Sequence, residues 1–351
     1  MWFDFVCIIG VFITMNILCS SKGHIIPQVS THLFYSLIVI AICAIYFAPE
    51  GADKIVYKTI YLFPDLWMEN KDSGWIIYNS IIRAIVGKNA NLFFLINAII
   101  YTFLFVYFVR QSFQYKYWFY FFLLLIISLG YYSGGTNIMR SGLATAILYC
   151  GMTRYDKPYL FLILMAIASS IHLSISITIG ALIIGYYYPK LKIFTIIWIV
   201  AVALSFTDSL SGVLSNTIDF LGSNSYRLEQ YTSSIGKESE LYTKIGWRLD
   251  FVLYSAYPLL FAYYYKAKIK FSNRFYDAVI SAYLIANSFW LCVIRMPFTD
   301  RIALLSWVLI PIICLYPPLK NPGMKNGAKL IALSYIPPIT LKIMYLIPKL
   351  I

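Results

Sequence analysis

Met139-Arg140-Ser141-Gly142-Leu143-Ala144-Thr145-Ala146-Ile147 opens one apolar run, Arg154-Tyr155-Asp156-Lys157-Pro158 forms a polar turn, and Ala168-Ser169-Ser170-Ile171-His172-Leu173-Ser174 closes the next run. Read as antiparallel helices over 138–152 and 159–171, the stretch sets Arg140 and His172 equally far from Asp156, and so at one depth. At about 1.5 Å per residue, the path from Arg154 back to Arg140 rises roughly 21 Å, which carries Arg140 into the leaflet opposite the turn. A cation and a titratable imidazole beside apolar runs are costly to keep there, which makes the pair a candidate site.

The rest of the chain fits a membrane hairpin at its centre. With 60% hydrophobic and 12% charged residues in 351, the sequence is far more apolar than a soluble domain. Apolar runs lie at about 2–19, 33–49, 92–109, 117–132, 138–152, 159–171, 173–188, 193–210, 247–265, 275–294, 302–316 and 330–347. They predict an all-α polytopic integral membrane protein with about 12 transmembrane helices, forming one membrane domain over 1–351. Several runs are short for a full crossing, so tilted or re-entrant segments are expected, above all in the 138–171 pair. Asp4 stands where a signal peptide carries basic residues, so the first run reads as a retained span. The six cysteines all fall inside apolar runs, which reads as buried thiols rather than disulfides.

Charge sets the orientation. Alternate short loops, such as those holding Lys266, Lys268, Lys270 and Arg274, or Lys320, Lys325 and Lys329, gather half of the 28 basic residues. Only Asp156 and Asp277 accompany them, whereas the other loops are nearly balanced. That is the positive-inside pattern, and it accounts for the net charge of +13 without nucleic acid. Both termini and two long loops, 50–91 and 211–246, then face outward. Within the first, Gly74 to Val86 has apolar residues at helical spacing and predicts an amphipathic helix lying in the interface. The second holds Tyr226 to Tyr231 in a polar setting, and suits a substrate-binding loop or a solvated connector equally.

On this outward side stand Arg140, Arg248 with Asp250, Arg295, and Asp300 with Arg301. A set of guanidinium groups at one face suits an anion, because each fork grips phosphate oxygens and stays charged. Taken singly, each also reads as an interfacial anchor or a local pair, Arg248 with Asp250 and Asp300 with Arg301. His172 is the candidate general base of that face; its plain alternative is a neutral histidine bonded to a neighbouring helix. No P-loop, HExxH, CxxC or DxD motif occurs, so ATP-driven transport and zinc chemistry have no support, and no cofactor is called for. Glu238 and Glu240 read as a solvated acidic patch before a metal pair.

Gly51-Ala52-Asp53 with Tyr57, the Arg140 run and the His172 segment together resemble the O-antigen and exopolysaccharide polymerases of the Wzy and EpsG-like group. The resemblance implies a C-type glycosyltransferase-like bundle in a bacterial inner membrane, with two long periplasmic loops and its site facing the periplasm. It implies transfer of a growing glycan from undecaprenyl diphosphate onto a new lipid-linked repeat unit, without a metal. In that reaction His172 or Asp53 would take the proton, and Arg140, Arg248, Arg295 and Arg301 would hold the diphosphate. The implied partners are lipid-linked oligosaccharides, membrane lipids and a chain-length regulator protein. An O-antigen ligase or other lipid-linked glycosyltransferase, a membrane O-acyltransferase and an oligosaccharide flippase remain the alternatives.

Overall fold

The computed structural model describes residues 2–20, 31–67, 72–207, 246–295, 299–321 and 323–346, and every element among them is helical. In their described residues all twelve apolar runs fall mainly on helices, because apolar stretches without internal water must close their own backbone hydrogen bonds. Among the described residues, three helices are long and apolar enough to cross a membrane by themselves: Ala90–Ser112, Arg274–Cys292 and Thr299–Lys320. A fourth crossing comes from Tyr115–Ile127 with Leu129–Thr136 if that pair, bent by 69°, is one span. Shorter apolar helices include Pro158–Ile171, Ile175–Tyr187 and Leu191–Ser205. The protein is thus a multi-pass membrane protein, and three or four of the twelve expected spans are met by helices that pass on both length and composition.

Two compact units divide the described residues. The first comprises 1–172 and 314–351, the second 173–313. In the first, α1 (Trp2–Ser20), α2 (Thr31–Tyr46), α3 (Ala52–Leu62), α4 (Ser73–Val86), α5 (Ala90–Ser112), α6 (Trp118–Ile127), α7 (Leu129–Thr136), α8 (Met139–Met152) and α9 (Pro158–Ile171) follow one another along the chain. The described part of the expected first outward loop is therefore largely helical: α3 packs on α5, and α4 packs on both α5 and α9. Asn89 caps α5 by accepting from the Leu92 N–H at 3.1 Å, and Pro158 starts α9, where a missing N–H costs nothing.

The break between α6 and α7 falls at Ser128, an extended residue only 6% exposed, so its interrupted backbone is covered by protein. Beyond it, Tyr101 on α5 donates to the Tyr131 carbonyl (2.8 Å), while Thr102 and the Tyr131 hydroxyl share a buried hydrogen bond (2.8 Å). These bonds lock α7 onto α5 and present Gly134 to α8. The chain's final helix, Gly327–Leu346, returns to α1, where Lys342 pairs with Asp4 at 2.9 Å.

The second unit contains α10 (Ile175–Tyr187), α11 (Leu191–Ser205), α12 (Leu249–Tyr263), α13 (Arg274–Cys292) and α14 (Thr299–Trp307). Its centre is polar and fully buried: Asn287 donates to the hydroxyls of Ser255 (3.1 Å) and Ser306 (2.9 Å) and accepts from Trp198 (2.7 Å). Trp307 also donates to Ser255, at 2.8 Å. In a setting where hydrophobic segregation between helices is weak, such hydrogen bonds fix which helices pair. Of the expected second outward loop, only Gly246 is described.

Candidate functional site

Three helix ends in the first unit meet around one carboxylate. Asp72 immediately precedes α4, Arg140 is the second residue of α8, and His172 is the residue that ends α9. The Arg140 guanidinium donates through Nη1 to Asp72 Oδ2, and His172 Nδ1 lies 3.6 Å from the same oxygen. Asp72 and Arg140 are each 7% exposed as residues, whereas the His172 side chain is 21% exposed. The imidazole is thus the most open member of the cluster. Its Nδ1 is turned inward at Asp72, which directs Nε2 to the opposite edge of the ring.

Two close backbone approaches hold these ends in place. A Cβ on Gly74 would lie 2.2 Å from Ser170 Oγ, 2.7 Å from the Ser170 carbonyl carbon and 2.9 Å from Ile171 N. Only glycine lets the start of α4 sit directly on the end of α9, two residues from Asp72 and one from His172. On the other side, a Cβ on Gly142 would lie 2.1 Å from the Gly134 carbonyl oxygen, so α8 rests on α7 two residues from Arg140. Both contacts are backbone to backbone, which makes the site a product of helix packing and not of a loop.

Beneath Asp72 the first turn of α4 is anchored by aromatic packing. Trp75 is 1% exposed, stacks on Tyr78 with centroids 5.4 Å apart, and meets Tyr57 and Phe93 edge-on. Tyr78 donates to Asn97 Oδ1 at 2.9 Å, and burial raises its hydroxyl above the usual tyrosine range, so it remains a donor. The opposite face of α4 leaves Ile77, Ile81 and Ile85 exposed, spaced by four, so the helix is amphipathic as its spacing predicts.

Asp72 departs from the ordinary use of an aspartate at this position. A carboxylate just before a helix usually accepts from the second or third N–H of the first turn, a contact whose removal costs about 0.5–2 kcal/mol. Here the Asp72 carbonyl takes the Trp75 and Ile76 N–H groups at 3.1 and 3.3 Å, while the side chain makes no cap and faces Arg140 and His172. Arg140 and His172, singled out by sequence, are therefore joined, and the group that joins them is one that sequence reading passed over. The local signal was present: Asp72-Ser73-Gly74 stands just before the amphipathic run, but it reads there as a helix start.

Arg140 is no interfacial anchor, being buried and ion-paired. Asp53 stands half-buried in the first turn of α3, beside Lys54, whose ammonium donates to the carbonyls of Tyr46 (3.2 Å) and Ala48 (2.7 Å) and closes the end of α2. Arg248, Arg295 and Arg301 belong to the second unit. Arg248 makes the expected local fork with Asp250, at 2.9 and 2.5 Å, and lies over the Phe251 ring at 3.8 Å. Arg295 donates to the carbonyls of Ser205 (3.2 Å) and Phe206 (2.8 Å) at the end of α11, where the helix dipole favours a cation. Arg301 is in the first turn of α14. Arg227, Glu238 and Glu240 lie outside the described residues.

A buried arginine–aspartate pair with a half-buried histidine beside it, at three helix ends, is the candidate site of this multi-pass membrane protein. The model of the EpsG family matches residues 29–348, and the chain belongs to that family. Its membership makes the protein a polymerase-like glycosyltransferase of polysaccharide biosynthesis. No curated protein and no solved structure matches the chain.

Proposed function

We propose that the protein joins undecaprenyl-diphosphate-linked oligosaccharide repeat units into an O-antigen or similar surface polysaccharide, at the periplasmic face of the inner membrane and without a metal. The observation that carries this reading, beside family membership, is that Asp72, buried with Arg140, brings Arg140 and His172 together. In the reaction, the hydroxyl on the terminal sugar of a new repeat attacks the anomeric carbon of the growing chain. The carbon–oxygen bond to the sugar forms, the bond to the lipid diphosphate breaks, and the electron pair leaves with the diphosphate. The hydroxyl proton goes to His172, with Asp53 the other candidate.

Arg140, the carboxylate and a neutral imidazole sum to no net charge. As His172 takes its proton, the cluster becomes positive while negative charge develops on the departing diphosphate. The two changes stabilise each other more strongly at a water-poor site than they would in water. On the family resemblance alone, the proposed diphosphate contacts are Arg140, Arg248, Arg295 and Arg301, in the role that a divalent metal fills elsewhere. The aromatic side chains offer faces on which sugars stack, and a chain-length regulator is a proposed partner.

A polymerase acts after the repeat unit has been made and flipped, and before transfer to the final acceptor. Deleting the gene is therefore expected to leave surface lipid carrying one repeat, and complementation to restore the ladder on a gel. Loss of every surface repeat would favour a ligase or flippase. An unchanged ladder differing only in acetyl content would favour an acyltransferase.

A further inference from the structure

We propose that Asp72 is the positioning residue of this site. Its carboxylate holds the imidazole of His172 by the Nδ1 edge, so that Nε2 is the nitrogen offered to the acceptor hydroxyl, and it fixes Arg140 beside it. The proposal rests on the polymerase reading and deepens it.

Three observations carry it. The carboxylate is turned away from the helix start it would ordinarily cap, toward Arg140 and His172. It is buried together with Arg140, and one carboxylate oxygen lies against both the guanidinium of α8 and the imidazole at the end of α9. The glycine contact at Gly74 sets the backbone on which Asp72 stands against the backbone that bears His172. An acceptor-side ring nitrogen is useful to a base only when the other nitrogen is oriented by a fixed acceptor, which settles both ring direction and tautomer. The 3.6 Å separation is longer than a hydrogen bond, and such contacts commonly shorten when substrate is bound. No step passes through Asp72 itself: the proton stays on His172, and Asp72 remains ionised.

The test is a cycle of four full-length proteins: wild type, Asp72→Asn, His172→Gln and the double variant. Each is purified in detergent and given lipid-linked repeat units extracted from a gene-deletion strain. Asp72→Asn is expected to lower kcat by about 10²-fold, the size of effect that misplacing a catalytic group by an ångström produces. KM should be unchanged. In the His172→Gln background the same substitution should cost nothing further, because a residue that acts through another loses its effect with it. Asp72→Glu, which keeps the charge and moves it by one methylene, should accumulate normally yet stay slow, so the cycle can be read even if the asparagine variant folds poorly. Losses that add in the double variant, or full turnover in Asp72→Glu, would make Asp72 a structural ion-pair partner and overturn the proposal. Elongation by the wild type with additive losses would sink this role alone; no elongation by the wild type would remove the polymerase reading along with it.

Discussion

Glutamine at position 172 is expected to lower the rate of glycan elongation by about 10² to 10⁴, the usual contribution of a positioned general base. The amide matches the imidazole in reach and can keep a contact to Asp72, but it cannot accept the proton from an attacking hydroxyl. Protein should still reach the membrane at wild-type level, since the His172 N–H bond to the Ala168 carbonyl (3.1 Å) is a backbone contact that the substitution leaves alone. Binding of the lipid-linked donor, measured by retention of labelled repeat units on purified protein, should persist. Equal loss of folded protein in His172→Gln and His172→Ala would show the ring to be structural. Preserved turnover in both would transfer the base role to Asp53.

Arginine 140 is expected to give the largest effect on stability. Replacing it with alanine strands the Asp72 carboxylate in a place that is 7% exposed. Breaking a buried pair from one side typically costs about 3–5 kcal/mol, because a desolvated charge is left uncompensated. A drop in detergent-solubilised melting temperature and in membrane accumulation should follow for Arg140→Ala. Arg140→Lys should behave differently: the charge remains, so the protein accumulates, but an ammonium cannot reproduce the planar guanidinium and most activity is lost. Wild-type activity in Arg140→Lys would show that only the charge matters, and wild-type melting of Arg140→Ala would show that the pair contributes nothing.

The hairpin was legible because depth can be counted. Two helices that leave one turn at Asp156 bring residues equally far from it to one level, and Arg140 and His172 do reach one carboxylate. The helical placement of every apolar run was legible for a similar reason: a chain without water must bond to itself. The amphipathic helix before Gly87 followed from its spacing, and the Arg248 and Asp250 fork from two residues lying close in sequence. Asp72 was not legible, since its partner Arg140 is 68 positions away and pairing at that range depends on how α4 packs on α9. The break at Ser128 was equally hidden, because hydropathy runs unbroken across it while the backbone turns by 69°. Sequence spacing sees faces and depths along single helices, and packing decides which helix ends meet.

Polymerisation of lipid-linked repeat units at the site built by Asp72, Arg140 and His172, as proposed, can be read directly by incubating purified wild-type protein with undecaprenyl-diphosphate-linked repeat units from the deletion strain, with chelator present and no nucleotide added. The expected result is a ladder of lengthened glycans on lipid, with one lipid diphosphate released per bond formed, and near silence from His172→Gln in parallel. Repeat units that stay single with active, folded wild-type protein, or a ladder of equal intensity from His172→Gln, would contradict it.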